Sequence, residues 1–179
     1  MNHPLICHLL IGIPGSGKST FAQILAAEID GLIIATDAIR RQLYGAETIQ
    51  GDWLEIEAEI FQQMEIAIAN HQPVIYDATN VSRTWRMDFF SKTARWENIR
   101  WVGWLFETPI EICQERNSQR ERQVPPVIIE RMNETLQSSP PDKTEGMMAI
   151  YPVPCKDLAT IRDHLQGVLS AIEIFPNRI

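Results

Sequence analysis

The segment Gly12-Ile13-Pro14-Gly15-Ser16-Gly17-Lys18-Ser19-Thr20 is the part of this chain best suited to chemistry. Its spacing, G-x-x-x-x-G-K-[ST], puts glycine where a backbone must curl around an anion, an ammonium where it can reach phosphate oxygens, and a hydroxyl where it can ligate Mg²⁺. The chemistry implied is binding of ATP, with loop amides and a helix amino terminus holding the phosphates and Lys18 reaching the β and γ oxygens. The competing reading is a tight strand-to-helix turn that merely ends in lysine. Context favours the first. Leu5 to Ile11 is apolar apart from His8, as a strand covered on both faces must be. Lys18 to Ile29 carries Phe21, Ile24, Leu25 and Ile29 at helical spacing, so the loop lies between a buried strand and an amphipathic helix.

A metal beside Ser19 needs an anionic partner, and Asp77 closes the apolar run Val74-Ile75-Tyr76 as the acidic residue of a Walker B element would. Asp77 either supports Mg²⁺ or caps the turn formed with Thr79 and Asn80. Asp37 follows the short run Leu32 to Ala35, at the sheet edge where ligands bind in open α/β sheets, with Arg40 one helical turn later. Asp37 could take the proton of an attacking hydroxyl while Arg40 holds an anionic group of the acceptor; equally, Thr36 or Asp37 could cap the helix. Arg116, Arg120 and Arg122 are interleaved with Glu115 and Glu121 ahead of Pro125-Pro126. They read as a lid neutralising charge on a reacting phosphate, or as a surface helix laced by Glu/Arg pairs. Arg83 and Arg86 are further candidates for the acceptor side.

Helices are expected from Asp37 to Leu43, from an Asp52 cap to about Asn70, from a Thr108 cap with Pro109 first in the helix to about Arg116, over Val127 to Leu136, and over Leu158 to Ile174. In the long second one, Trp53, Ile56, Ile60, Met64 and Ala67 form a core-facing stripe. Ile99 to Phe106 and Met147 to Val153 complete a set of five strands. Strands interleaved with helices predict a parallel-sheet α/β domain, and no internal repeat interrupts it. Of the five tryptophans, core packing is the default role, an aromatic-lined acceptor site the alternative.

The 179 residues suffice for one domain with a sizeable core. Sixteen basic residues against 23 acidic ones, a net charge of -7, argue against a broad basic nucleic-acid surface while leaving room for a local groove. Only four of the basic residues are lysines, and eight of the 12 arginines fall between Arg83 and Arg131. Three cysteines, Cys7, Cys113 and Cys155, are odd in number and widely spaced, favouring free thiols and a reducing cytoplasm. The start of the chain reads as a first strand rather than a signal peptide, and no apolar run is long enough to cross a membrane. No protein partner can be inferred.

Taken together, Gly12 to Thr20, Asp37-Ala38-Ile39-Arg40, Tyr76-Asp77-Ala78-Thr79-Asn80, and Leu105-Phe106-Glu107-Thr108-Pro109 followed by Cys113, Arg116, Asn117, Arg120 and Val124-Pro125 resemble the P-loop kinase family related to the kinase domain of polynucleotide kinase, also described as AAA-type ATP-binding proteins. The resemblance implies a P-loop NTPase fold: a three-layer α/β/α sandwich with a mainly parallel five-stranded sheet and a helical lid at about 114–126, all one domain over 1–179. It implies ATP-dependent transfer of the γ-phosphoryl group to a hydroxyl, either a polynucleotide 5′-hydroxyl or a small molecule. Lys18, Asp37 and Arg120 would be catalytic. Gly12 to Thr20, Arg116 and Arg120 would hold the nucleotide, Ser19 and Asp77 the Mg²⁺, and Arg40 an acceptor phosphate. A switch protein that binds nucleotide without transferring phosphate is the alternative function.

Overall fold

The computed structural model describes residues 3–174. Its strands are β1 (Leu5–Ile11), β2 (Leu32–Ala35), β3 (Val74–Asp77), β4 (Ile99–Phe106) and β5 (Met147–Val153). The helices are α1 (Lys18–Ile29), α2 (Thr36–Tyr44), α3 (Trp53–Ala69), α4 (Arg83–Thr93), α5 (Ile110–Ser118), α6 (Pro126–Ser138) and α7 (Leu158–Ile174), with a short 3₁₀ turn at Lys143–Glu145. The sheet runs β2-β3-β1-β4-β5 and every pairing is parallel. This is the predicted α/β/α sandwich.

Alternation along the strands builds the two outer layers. Cys7, Leu9 and Ile11 of β1, Tyr76 of β3 and Trp101 of β4 face one side, where they meet Ile56, Ile60 and Met64 of α3 and Phe89 and Phe90 of α4. Leu10, Ile75, Val102, Trp104 and Phe106 face the other, against Phe21 and Leu25 of α1 and Leu165 of α7. Strands covered on both faces have no polar side to show, so they stand out in the sequence as apolar runs.

Three local expectations change. Trp53, at the start of the α3 stripe, is about half exposed (47%), while Ile56, Ile60 and Met64 further along it are buried. The Asp52 cap holds, its carboxylate accepting from the Leu54 amide at 2.8 Å. Thr108 does not cap α5: Pro109 occupies that position, and the Thr108 hydroxyl donates to the Ser16 carbonyl at 3.0 Å. Helix α4 lies where the sequence reading assigns no element.

β1 lies between β3 and β4, and the chain winds outward in opposite directions from it, which opens a crevice at the carboxyl edge beside β1. Ala35 of β2 is opposite Asp77 of β3. That register sets the first turn of α2, with Asp37, beside the end of β3.

Candidate active site

The loop between β1 and α1 is shaped by glycines with no alternative. Gly15 has φ 84° and an added Cβ would run into the Cys113 carbonyl of α5. Gly17 has φ 100°, and a Cβ there would lie 3.8 Å from Arg116 Nη1. Both need the left-handed region that side chains disfavour. The loop is held from outside as well. The Gly12 amide donates to the Thr79 carbonyl at 2.9 Å, and Asn80, itself at φ 49°, donates to the Leu10 carbonyl at 2.7 Å. With Thr108 on Ser16, the segments after β3 and β4 fix the phosphate loop before any ligand arrives.

Lys18 is buried, and its ammonium donates to the Ile13 carbonyl at 2.8 Å and the Ser16 hydroxyl at 3.3 Å. An ammonium has three N–H donors, so one remains for an anion. Burial lowers its pKa to about 8, with Asp77 pulling the other way. Burial also raises the pKa of Asp77; the neighbouring Ser19 hydroxyl, Lys18 and Arg120 oppose that shift and Asp37 adds to it. Lys18, Ser19, Asp77, Asp37 and Arg120 therefore form one electrostatic neighbourhood. A hydroxyl and a buried carboxylate side by side suit Mg²⁺, which keeps several waters and takes few protein ligands. No group of three or more His, Cys, Asp or Glu with metal-binding placement occurs among the described residues.

α2 begins without a side-chain cap, its N-cap being Ala35, so Asp37 in its first turn is left for other work. Its Oδ1 accepts from Arg40 Nη1 at 3.1 Å and its Oδ2 pairs with Arg122 Nη1 at 2.9 Å. Arg40 is largely buried, and its Nε has no hydrogen-bond partner among the described residues. Arg116 on α5 reaches back to the Gly15 carbonyl at 3.5 Å. Arg120 and Arg122 lie in the loop between α5 and α6, which Asn117 closes by donating to the Val124 carbonyl and accepting from the Val124 amide, each at 2.9 Å. None of these three arginines forms an ion pair with Glu115 or Glu121 among the described residues, so the laced-helix reading does not hold.

Arg86 is a correction. It is buried to 1% exposure and gives all its donors to the protein: Nε and Nη2 to Glu145 at 2.6 and 2.9 Å, Nη1 to the Asn80 and Val81 carbonyls, and Nη2 to the Ser139 carbonyl. It braces the segment after β3 from behind and cannot line an acceptor site. Arg83 is exposed and leans on the same turn, 3.8 Å from Glu145, rather than on Asp37. The contact that sequence reasoning missed is Arg122 with Asp37, since the 84 residues of chain between them give no local signal.

The arrangement of strand, phosphate loop, closing carboxylate and arginine-bearing cover agrees with a family model described as AAA domain, which matches residues 7–139. The chain belongs to that AAA domain family. Solved structures share the fold of this AAA domain. A gluconokinase from Sinorhizobium meliloti 1021 is 20% identical, with TM-score 0.62 and 97% of each chain covered. A chain of the Pnkp1/Rnl/Hen1 RNA repair complex is 24% identical, with TM-score 0.67; the match takes in 89% of this chain and about half, 51%, of that one. Shikimate kinase from Bacteroides thetaiotaomicron is 16% identical, with TM-score 0.58, covering 94% and 98%. No curated protein matches the sequence. No helix of the AAA domain is long and apolar enough to cross a membrane among the described residues.

Proposed function

We propose that this protein is an ATP-dependent kinase that transfers the γ-phosphoryl group to a hydroxyl acceptor. The observation that carries the reading is the position of Asp37, an exposed carboxylate at the edge of the same charge cluster that contains the buried Lys18 and Asp77. A nucleotide-binding switch needs the buried half alone; an accessible carboxylate next to it is what phosphoryl transfer to a hydroxyl adds.

The acceptor oxygen forms its bond to the γ phosphorus as its proton passes to the Asp37 carboxylate. The bond from that phosphorus to the bridging oxygen breaks, and its electron pair leaves on ADP. Loop amides from Gly12 to Thr20 position the phosphates, while Lys18, Arg116 and Arg120 offset charge on the transferred group and the leaving oxygen. Ser19 and Asp77 would hold Mg²⁺, which supplies further neutralisation of the β and γ oxygens. Arg40, with an unused N–H inside the site, is suited to an anionic group on the acceptor.

Small hydroxyl compounds and short nucleic-acid 5′ ends both meet this description. The likeness to a chain of an RNA repair complex supports the latter. The net charge of -7 and the acidic run Glu55, Glu57 and Glu59 on α3 support a small molecule, or contact with few nucleotides. A reducing cytoplasm suits the free thiols of the chain. Product analysis with γ-labelled ATP, against oligonucleotides carrying 5′-hydroxyls and a panel of hydroxyl metabolites, tests the reading. Label in an acceptor supports it; inorganic phosphate as the sole product across the panel supports a switch.

A further inference from the structure

Both oxygens of the Asp37 carboxylate are taken: Oδ1 by Arg40 at 3.1 Å, from the same helix, and Oδ2 by Arg122 at 2.9 Å, from the loop between α5 and α6. A hydroxyl approaching this half-exposed carboxylate must share it with two guanidinium groups, one on each oxygen. The two arginines are not equally able to yield to an incoming hydroxyl. Arg40 lies on the same helix, three residues on, and is largely buried. Arg122 is carried by the cover.

That cover is a small closed loop. Asn117 binds Val124 in both directions, Gln123 Nε2 donates to the Ser118 carbonyl at 2.9 Å, and the Arg120 amide donates to the Asn117 carbonyl at 3.2 Å. Its base is set by Val124, which packs with Cys113 and Ile129 against Ile13 of the phosphate loop. One closed loop thus carries Arg120 to the Lys18 and Asp77 cluster and Arg122 to Asp37.

We infer that Arg122 is a specificity-determining residue that reserves Asp37 for the acceptor and withholds it from water. This rests on Asp37 being the proton acceptor of the proposed transfer. With no acceptor in place, Arg122 occupies Oδ2, so a water beside the γ-phosphoryl group must compete with a guanidinium for that oxygen. An acceptor entering against Arg40 displaces the Arg122 guanidinium and presents its hydroxyl to the freed oxygen. A partly exposed ion pair such as this contributes little to stability, so binding can break it at small cost. When Arg122 is removed, water can replace the acceptor: its oxygen bonds to the γ phosphorus, its proton passes to Asp37, and the bridging bond breaks with the electron pair on ADP, yielding ADP and inorganic phosphate.

The test needs no knowledge of the acceptor. ATP and Mg²⁺ alone are incubated with the wild-type chain, Arg122→Ala, Arg122→Lys, and Arg122→Ala combined with Asp37→Asn; phosphate release is measured beside ATP affinity and the melting temperature. A positioned base is worth ~10²–10⁴ in rate, so partial release of one should raise phosphate formation in Arg122→Ala roughly tenfold at unchanged ATP affinity. Arg122→Lys, which keeps a cation beside Oδ2, should stay near wild type, and the double variant should lose the gain. Unchanged phosphate release in a folded Arg122→Ala overturns the inference. So does a fall in release together with weaker ATP binding, which would put Arg122 on the phosphates. If wild type binds no ATP, the kinase reading itself fails, an outcome visible in the affinity measurement before any rate is compared.

Discussion

Arg86 and Arg120 come from one arginine-rich stretch of chain and end in opposite roles because of what surrounds them. Arg86 forks onto Glu145 and spends its remaining donors on three carbonyls, inside the protein. Removing it leaves Glu145 charged, buried and without that partner. Arg86→Ala is expected to cost about 3–5 kcal/mol of stability, read from urea unfolding, and Arg86→Lys to recover little because an ammonium cannot reproduce the planar fork. Nothing in the spacing of Arg83 and Arg86 after Asp77 distinguishes such a strut from a binding residue, since Glu145 lies 59 residues away. Lys18 and Ser19 were legible for the opposite reason: their chemistry depends on neighbours within the same nine residues. Asp37 was half legible. Its place after a strand pointed to a ligand edge, while setting aside a capping role needed the observation that α2 starts without a side-chain cap.

At the scale of elements, the strands were easy to read and one helix was not. Helix α4 has Phe89 and Phe90 in the core, yet Trp85 and Met87 on the same short segment stand in solvent, 65% and 43% exposed. Apolar residues on both faces blur the helical period, and the Ser82 side chain at its N-cap makes no capping hydrogen bond. Trp53 misleads in the same way at the start of α3. The contact between the phosphate loop and α5 is likewise invisible in sequence, although it governs the site. Gly15 sits at positive φ with the Cys113 carbonyl against its α-carbon, so Gly15→Ala must distort the loop or push α5 away. ATP affinity in that variant should fall at least ~10-fold, by titration, because the amides that hold phosphate would no longer converge. Affinity within twofold of wild type would mean that the loop tolerates the shift.

Over the whole molecule, the arginine-rich middle divides by position: Arg116, Arg120 and Arg122 stand by the phosphate loop and Asp37, while Arg95 and Arg100 lie at the amino end of β4 and Arg86 inside the protein. The core below adds its own pH limit. His8 is buried in β1, accepts from Trp104 Nε1 at 3.0 Å, and burial lowers its pKa from an ordinary 6.5 to about 3. The folded protein therefore binds this proton less readily than the unfolded chain, so the contribution is complete above 6.5 and is lost as pH falls towards 3. Between about pH 7 and pH 5 it should weaken folding by about 2 kcal/mol, and His8→Gln, which offers Trp104 an acceptor without titrating, should flatten that slope in urea unfolding. The most direct test of the account lies at Asp37. With γ-labelled ATP and whichever acceptor the panel identifies, Asp37→Asn should bind ATP as wild type does and transfer label at least ~100-fold more slowly. Transfer at the wild-type rate by that variant, with the same dependence on pH, would contradict the role assigned to Asp37.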